Sequence, residues 1–173
     1  MKILAVEGRR AGTTDRYYGP SPRYNYRDER RSFPGAMTDE NFVSSEDVPT
    51  QMFDWGTLKW MATPDVNGSE RFSAGSVQLA PGKGHELHTH PDSDEILYVI
   101  SGEGEQTVED ETREVGPGEM IFIPAGIEHG TINTGWQPLQ LLAVYSPPGP
   151  EDVLADLPEC EIVPAGEIPS RDD

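Results

Sequence analysis

From about residue 50 onward the chain is a series of short apolar runs, each closed by glycine or proline. The runs are RFSAGSVQLA, EILYVISG, GEQTVED, GEMIFIPAG and LQLLAVYS, with PGKG, PDSDE, SGEG, VGPGE and NTGWQP between or beside them. Glycine supplies left-handed turn positions and proline fixes φ, so this punctuation admits strands and leaves little room for anything longer. No stretch of the section keeps a 3.6-residue period over the roughly ten residues that a helix requires. Several short strands at close spacing predict an antiparallel sandwich or barrel, and the 18 Gly and 16 Pro suit such a turn-rich all-β fold. A chain of 173 residues without an internal repeat holds one barrel, not two.

The ends read differently. Residues 1–50 are expected to form a largely irregular N-terminal arm, residues 51–147 the barrel, and residues 148–173 a short surface-hugging tail with one helical turn at EDVLADL. The arm contains RYYGPSPRYNYRDERRSFPG, which has no apolar period and sets Tyr17, Tyr18, Tyr24 and Tyr26 among arginines. Residues 1–31 hold eight bases and four acids, whereas residues 32–173 hold five bases and 27 acids. A net charge of −18 repels nucleic acid and anionic membranes, so neither is an expected partner, and the arm is read as wrapping its own body or a neighbouring subunit. No apolar run approaches the roughly 20 residues of a membrane span, and MKILAVEGRR is charged too soon for a secretory signal. Cys160 stands alone, which excludes an intrachain disulfide and, with the missing leader, points to the cytoplasm.

The chemistry lies in four histidines, His85, His88, His90 and His129, all within 45 residues of one another. On a strand, His88 and His90 share a face. Glu95 opens the next apolar run, and an inward carboxylate there needs a positive partner. His129 follows IFIP and a tight turn at Pro124–Gly126, so a hairpin is expected to return it toward the first pair. Three imidazole nitrogens and one carboxylate oxygen suit a borderline divalent first-row metal ion better than calcium or magnesium.

These residues resemble the cupins. Their first motif, G-x5-H-x-H-x4-E-x6-G, is matched by Gly82, His88, His90, Glu95 and Gly102, and their second, G-x5-P-x-G-x2-H-x3-N, by Gly118, Pro124, Gly126, His129 and Asn133. The linker of residues 103–117 has the length found in small single-domain microbial cupins. The resemblance implies a jelly-roll barrel (a double-stranded β-helix) of six to eight strands. It also implies that His88, His90, Glu95 and His129 are the ligands of one Fe, Mn, Ni, Zn or Cu ion per chain. Related cupins commonly form homodimers, and that is the expected assembly. His85 lies outside the motif and is expected in an exposed loop, while Asn133 is expected to tie down a loop.

Fold does not give reaction. A four-ligand site leaves two octahedral positions for substrate and O2, so an O2-dependent oxygenase or dioxygenase acting on a small organic molecule ranks first. A metal-dependent sugar or sugar-phosphate isomerase, epimerase or lyase ranks second, because PAGIEHGTINTG is similar to archaeal cupin-type phosphoglucose isomerases but few cations lie near the motifs. A non-catalytic binding or sensor cupin is the third reading. With Glu95 inward, Leu97 and Val99 follow it and Tyr98 faces away. Gln78 and Gln106 fit either the interior or a solvated face, and Trp55 and Trp60 fit packing or a rim around a ligand. No general base outside the ligand set is named by the sequence.

The acid-rich, Lys-poor composition is similar to that of proteins from salt-loving organisms. Repulsion among surface acids reaches about 30 Å at 0.01 M salt but about 3 Å at 1 M. The melting temperature of metal-saturated protein is therefore expected to rise with KCl into the molar range, most steeply at the low end. A flat or falling series would refute the halophilic reading.

Overall fold

The computed structural model describes residues 41–170. Most of the arm expected at residues 1–50 lies outside this range. Among the described residues, eleven strands form two antiparallel sheets. They are β1 (Thr50–Phe53), β2 (Gly56–Ala62), β3 (Ser73–Leu79), β4 (Gly84–His88), β5 (Asp94–Ser101), β6 (Gly104–Val108), β7 (Glu111–Val115), β8 (Met120–Ile123), β9 (His129–Asn133), β10 (Leu139–Ser146) and β11 (Glu161–Val163). The larger sheet runs β11-β1-β2-β3-β10-β5-β8 and the smaller β4-β9-β6-β7. Strands β3 to β10 thus place four strands in each sheet, the jelly-roll arrangement, and β1, β2 and β11 extend the larger one. Two short α-helices, α1 (Pro64–Asn67) and α2 (Pro150–Ala155), and one turn of 3-10 helix (Ser45–Asp47) complete the described elements. No helix among the described residues is long and apolar enough to cross a membrane.

The runs identified from sequence become β3, β5, β6, β8 and β10. Strands β1 and β2 arise from MFDWGTLKWM, joined by a two-residue turn at Asp54 and Trp55 across the Phe53–Gly56 pair. The segment after residue 148 supplies α2 and then β11, which pairs with β1. Strict alternation along the central strands sends Leu58, Trp60, Val77, Leu79, Leu97, Val99, Leu139, Leu141 and Ala143 into one core, with Leu154 of α2 packed among them. This apolar half comes from the larger sheet. The facing strands of the smaller sheet contribute buried His129, Thr131, Asn133 and Gln106 instead. The interior is therefore apolar on one wall and polar on the other.

The β8–β9 connection departs from the sequence expectation. Strand β8 pairs with β5, and β9 pairs with β4 and β6. The turn after Pro124 therefore carries the chain from one sheet to the other, and His129 reaches the first histidine pair by crossing the barrel, not by a hairpin. The turn is anchored by Gly126 N–H donating to the His90 carbonyl at 2.9 Å and Ala125 N–H donating to Asp94 Oδ1 at 2.9 Å. Asn133 anchors the other end as expected. Its Nδ2 donates to the carbonyls of Leu79 (2.9 Å) and Gln137 (2.8 Å), and its Oδ1 accepts from Gly135 N–H at 2.9 Å.

Two motif glycines show different reasons for being glycine. Gly102 has φ +89°, and a Cβ there would meet the Pro138 carbonyl and Leu139 Cα at 2.7 Å. Gly82 has φ +71° with open space around it. Gly82→Ala is expected to cost about 1–2 kcal/mol for the left-handed backbone alone. Gly102→Ala adds a backbone clash and should cost about 2–4 kcal/mol. Denaturant unfolding of the two variants checks the order.

Candidate metal centre

The strand register assembles the site. His88, the last residue of β4, lies directly opposite His129, the first of β9. His90 follows in the connection to β5, where Glu95 faces the interior opposite Tyr145 of β10. One wall thus supplies two imidazoles and the other a carboxylate and a phenol, with His90 at the seam. The ligand atoms of His88, His90 and His129 all lie within 4.8 Å of one another. His88 Nε2 is 3.2 Å from His90 Nε2, Glu95 Oε2 is 3.6 Å from His90 Nε2, and Glu95 Oε2 is 2.8 Å from His129 Nε2.

The imidazoles are oriented from behind. His88 Nδ1 donates to the Glu86 carbonyl at 2.7 Å and His129 Nδ1 to the Ile127 carbonyl at 2.9 Å. Each donation places the lone pair on Nε2, turned toward the cluster. Glu95 and His129 are 4% and 2% exposed. Glu95 Oε2 and His129 Nε2 face each other as a buried pair 2.8 Å apart. A buried carboxylate with two imidazole nitrogens, those of His90 and His129, turned toward the same oxygen is a donor set that a shared cation satisfies. The three histidines can hold a metal ion.

Protonation favours the same end. Burial, with repulsion from His129, lowers His85 to about 4; burial, with His85, lowers His88 to about 4; burial, with His88 and His129, lowers His90 to about 3. All three are neutral near pH 7, the form that binds metal. Burial also pulls on His129, but the Glu95 carboxylate and the Ile127 carbonyl outweigh it and its pKa is raised.

Two residues join the site that sequence reasoning left out. His85 is partly buried, not loop-exposed, because a register shift between His85 and His88 in β4 brings both rings toward the interior. Its ring lies 4.9 Å from Trp55 and 4.0 Å from His88, and Phe53 stacks on the far side of Trp55 at 4.7 Å. Tyr145 packs edge-on to His90 at 4.8 Å. Burial first, then the charges of Glu95 and Glu151, push its phenol well above the ordinary range. Its place was legible in principle: Leu139, Leu141, Ala143 and Tyr145 alternate along one strand, and the last of them falls opposite Glu95. Gln106 points inward and accepts from Thr131 Oγ1 at 2.6 Å, whereas Gln78 points outward. Trp60 is core and donates to Gln51 Oε1 at 3.1 Å. Tyr98 faces away from the site, as expected.

The histidines open onto a pocket. Its walls are Leu58, Val77, Leu79, Leu97, Leu141 and Leu154, with Trp55, Tyr145, His85 and Thr131 nearest the cluster. Among the described residues no lysine or arginine lines it.

A jelly-roll barrel that gathers two histidines of one motif and a third of another around its interior defines the metal-binding cupin class. The sequence pattern of the Cupin domain family matches residues 75–145, the strands that carry the site. The chain is 31% identical over 109 residues to the tetracenomycin polyketide synthase protein TcmJ of Streptomyces glaucescens, covering 63% of this chain and 72% of that one. It is 29% identical over 137 residues to the protein SchB of Streptomyces halstedii, covering 76% of this chain and 99% of that one. The solved structure of KdgF from Halomonas sp. superposes with a TM-score of 0.57 at 22% identity, covering 64% of this chain and 98% of that chain, which shows the shared fold. The chain belongs to the cupin family.

His90→Ala is expected to weaken metal binding by more than the roughly 10–100-fold that loss of an outer-sphere partner costs, whereas His85→Ala should leave it nearly unchanged. Elemental analysis and competition with a chromophoric chelator separate the two. Equal losses would mean that the ligand set is wrong.

Proposed function

We propose that this cupin is a metal-dependent enzyme acting on a small, largely apolar organic molecule that carries oxygen donors, and that its reaction is O2-dependent oxygenation. The observation that carries the reading is the character of the pocket: a histidine cluster opening onto leucine, valine and tryptophan, with no lysine or arginine among the described residues that line it. A sugar phosphate would bring two negative charges against this apolar wall, which sets the isomerase reading below the oxygenase. Likeness to a polyketide synthase protein supports the same substrate class, since polyketide-derived molecules are apolar frameworks edged with carbonyl and hydroxyl oxygens.

In this reading Glu95 joins His88, His90 and His129 as the fourth ligand of a first-row divalent ion, iron foremost. A redox-active ion held there supplies one-electron chemistry toward O2, which the side chains of the protein cannot. The remaining tasks fall to the chain itself. Trp55 and His85, stacked upon each other, present a flat wall against which a planar substrate is oriented. Neutral His85, whose conjugate acid is destabilised by burial, is placed to hydrogen-bond a substrate hydroxyl at the mouth of the cluster. The Tyr145 phenol, kept protonated by its surroundings, bonds to Glu95 and steadies that carboxylate in the cluster. The leucine and valine walls exclude water from the reacting atoms.

Protein loaded anaerobically with Fe(II) and mixed with polycyclic aromatic diols or hydroxyquinols is expected to consume O2 only when metal, substrate and protein are all present, with product masses increased by one or two oxygen atoms. Trp55→Ala should raise KM about tenfold at unchanged metal content. Turnover of a sugar phosphate without O2 would overturn the assignment.

A further inference from the structure

The space between the pocket walls is about 40 Å³, whereas pockets that enclose a small organic molecule run to roughly 300–1,000 Å³. A ring-bearing substrate is not enclosed unless part of the lining gives way. Most of that lining has no room to give. Leu58, Val77, Leu79, Leu97 and Leu141 stand on strands hydrogen-bonded to neighbours on both sides. Trp55 lies in a turn, yet its carbonyl accepts from Ala80 N–H at 2.9 Å and its ring is held between Phe53 and His85. Leu154 differs from all of these, because it reaches the pocket from α2, which belongs to neither sheet.

Helix α2 is a six-residue strap between β10 and β11. A helix this short is held by what it packs against and not by its own propensity. Pro150, Glu151 and Leu154 face inward, while Asp152 and Val153 face solvent. Glu151 is the anchor. Its Oε2 accepts from Ser73 Oγ and from Gly149 N–H, both at 2.8 Å, and its backbone carbonyl accepts from Gln51 Nε2 at 3.0 Å. The side chain is 3% exposed, and its other oxygen, Oε1, has no hydrogen-bond partner among the described residues. Closure thus leaves one oxygen of a buried carboxylate unsatisfied, and lifting α2 returns it to water. The latch that holds Leu154 in the pocket is built to release.

We propose that Leu154 is the specificity-determining residue of the pocket and that α2 is the wall that yields to substrate. The inference rests on the reading of the pocket as a site for an apolar organic molecule. In the closed position Leu154, 5% exposed, fills part of the volume that such a molecule needs. Lifting α2 leaves the histidine cluster intact, since His88, His129 and Glu95 are placed by the pairing of β4 with β9 and of β5 with β10. Ligands with more rings displace α2 further, so the side chain at position 154 grades them by size. Apolar surface buried between ligand and walls is the term that offsets the displacement.

Full-length protein loaded with Zn(II), which has no redox chemistry, keeps binding apart from turnover. Dissociation constants for one-, two- and three-ring aromatic diols are read by quenching of tryptophan fluorescence. Leu154→Ala should lower the constant for the three-ring diol about tenfold and that for the one-ring diol less than about twofold. Leu154→Val should show the same trend to a smaller degree if the alanine variant unfolds. Without any ligand, Ser73→Ala should speed hydrogen exchange of the Leu154 and Ala155 amides about tenfold and leave β5 and β10 unchanged. A size profile indifferent to residue 154 would overturn the proposal, as would exchange in α2 that rises only together with that of β5 and β10. Failure of every diol to bind any variant would overturn both the role of Leu154 and the substrate class. Binding graded by residue 154 without O2 uptake by the Fe(II) protein would refute the oxygenase reaction alone.

Discussion

A buried carboxylate governs the interior of this barrel. Glu95 is set by strand alternation among leucines and valines, where an unpaired charge costs several kcal/mol. The molecule answers by facing it with the other sheet's histidines and with the Tyr145 phenol, and by freeing His88 and His129 Nε2 through backbone acceptors behind the rings. Each of these devices belongs to a different strand. The pairing of β4 with β9 and of β5 with β10 is therefore as much a requirement of the site as of the fold, since a slip of one residue in either would turn a ligand outward.

The spacing of ten motif positions was enough to anticipate the barrel and to name the residues that converge within it. That works because the spacing encodes two strand ends and two turns, and strand ends are where a period of two and a glycine break coincide. What escaped was whatever depends on a register irregularity or on sheet membership. His85 turns inward because β4 shifts register between His85 and His88. The passage of β8 to β9 across the barrel, and the recruitment of β11 by β1 over a hundred residues away, leave no local mark on the sequence. Tyr145 is the intermediate case, visible in the alternation of its strand but significant only once Glu95 is known to lie beside it.

Charge divides the surface as polarity divides the interior. Acids populate the outside of the smaller sheet and the turns, while the outside of β3, β10, β5 and β8 in the larger sheet carries no charge except Asp94 at the start of β5. A polypeptide this acidic would scatter carboxylates over any face left to water. The sheet that supplies the apolar wall of the pocket on its inner side is thus apolar on both sides along β5, β8 and β10, as strands covered from both directions are.

The two motifs also hold each other at both ends. Near the cluster, Gly126 N–H bonds the His90 carbonyl; at the far end, Gly82 N–H donates to the Asn133 carbonyl at 3.1 Å and Asn133 N–H to the Lys83 carbonyl at 2.8 Å. Backbone bonds of this kind form when the chain folds and do not wait for an ion. The segments that carry the histidines are thereby tied to one another by the fold itself, so an ion held by His88, His90 and His129 would meet a largely preformed template. Discrimination among ions would then fall to that geometry.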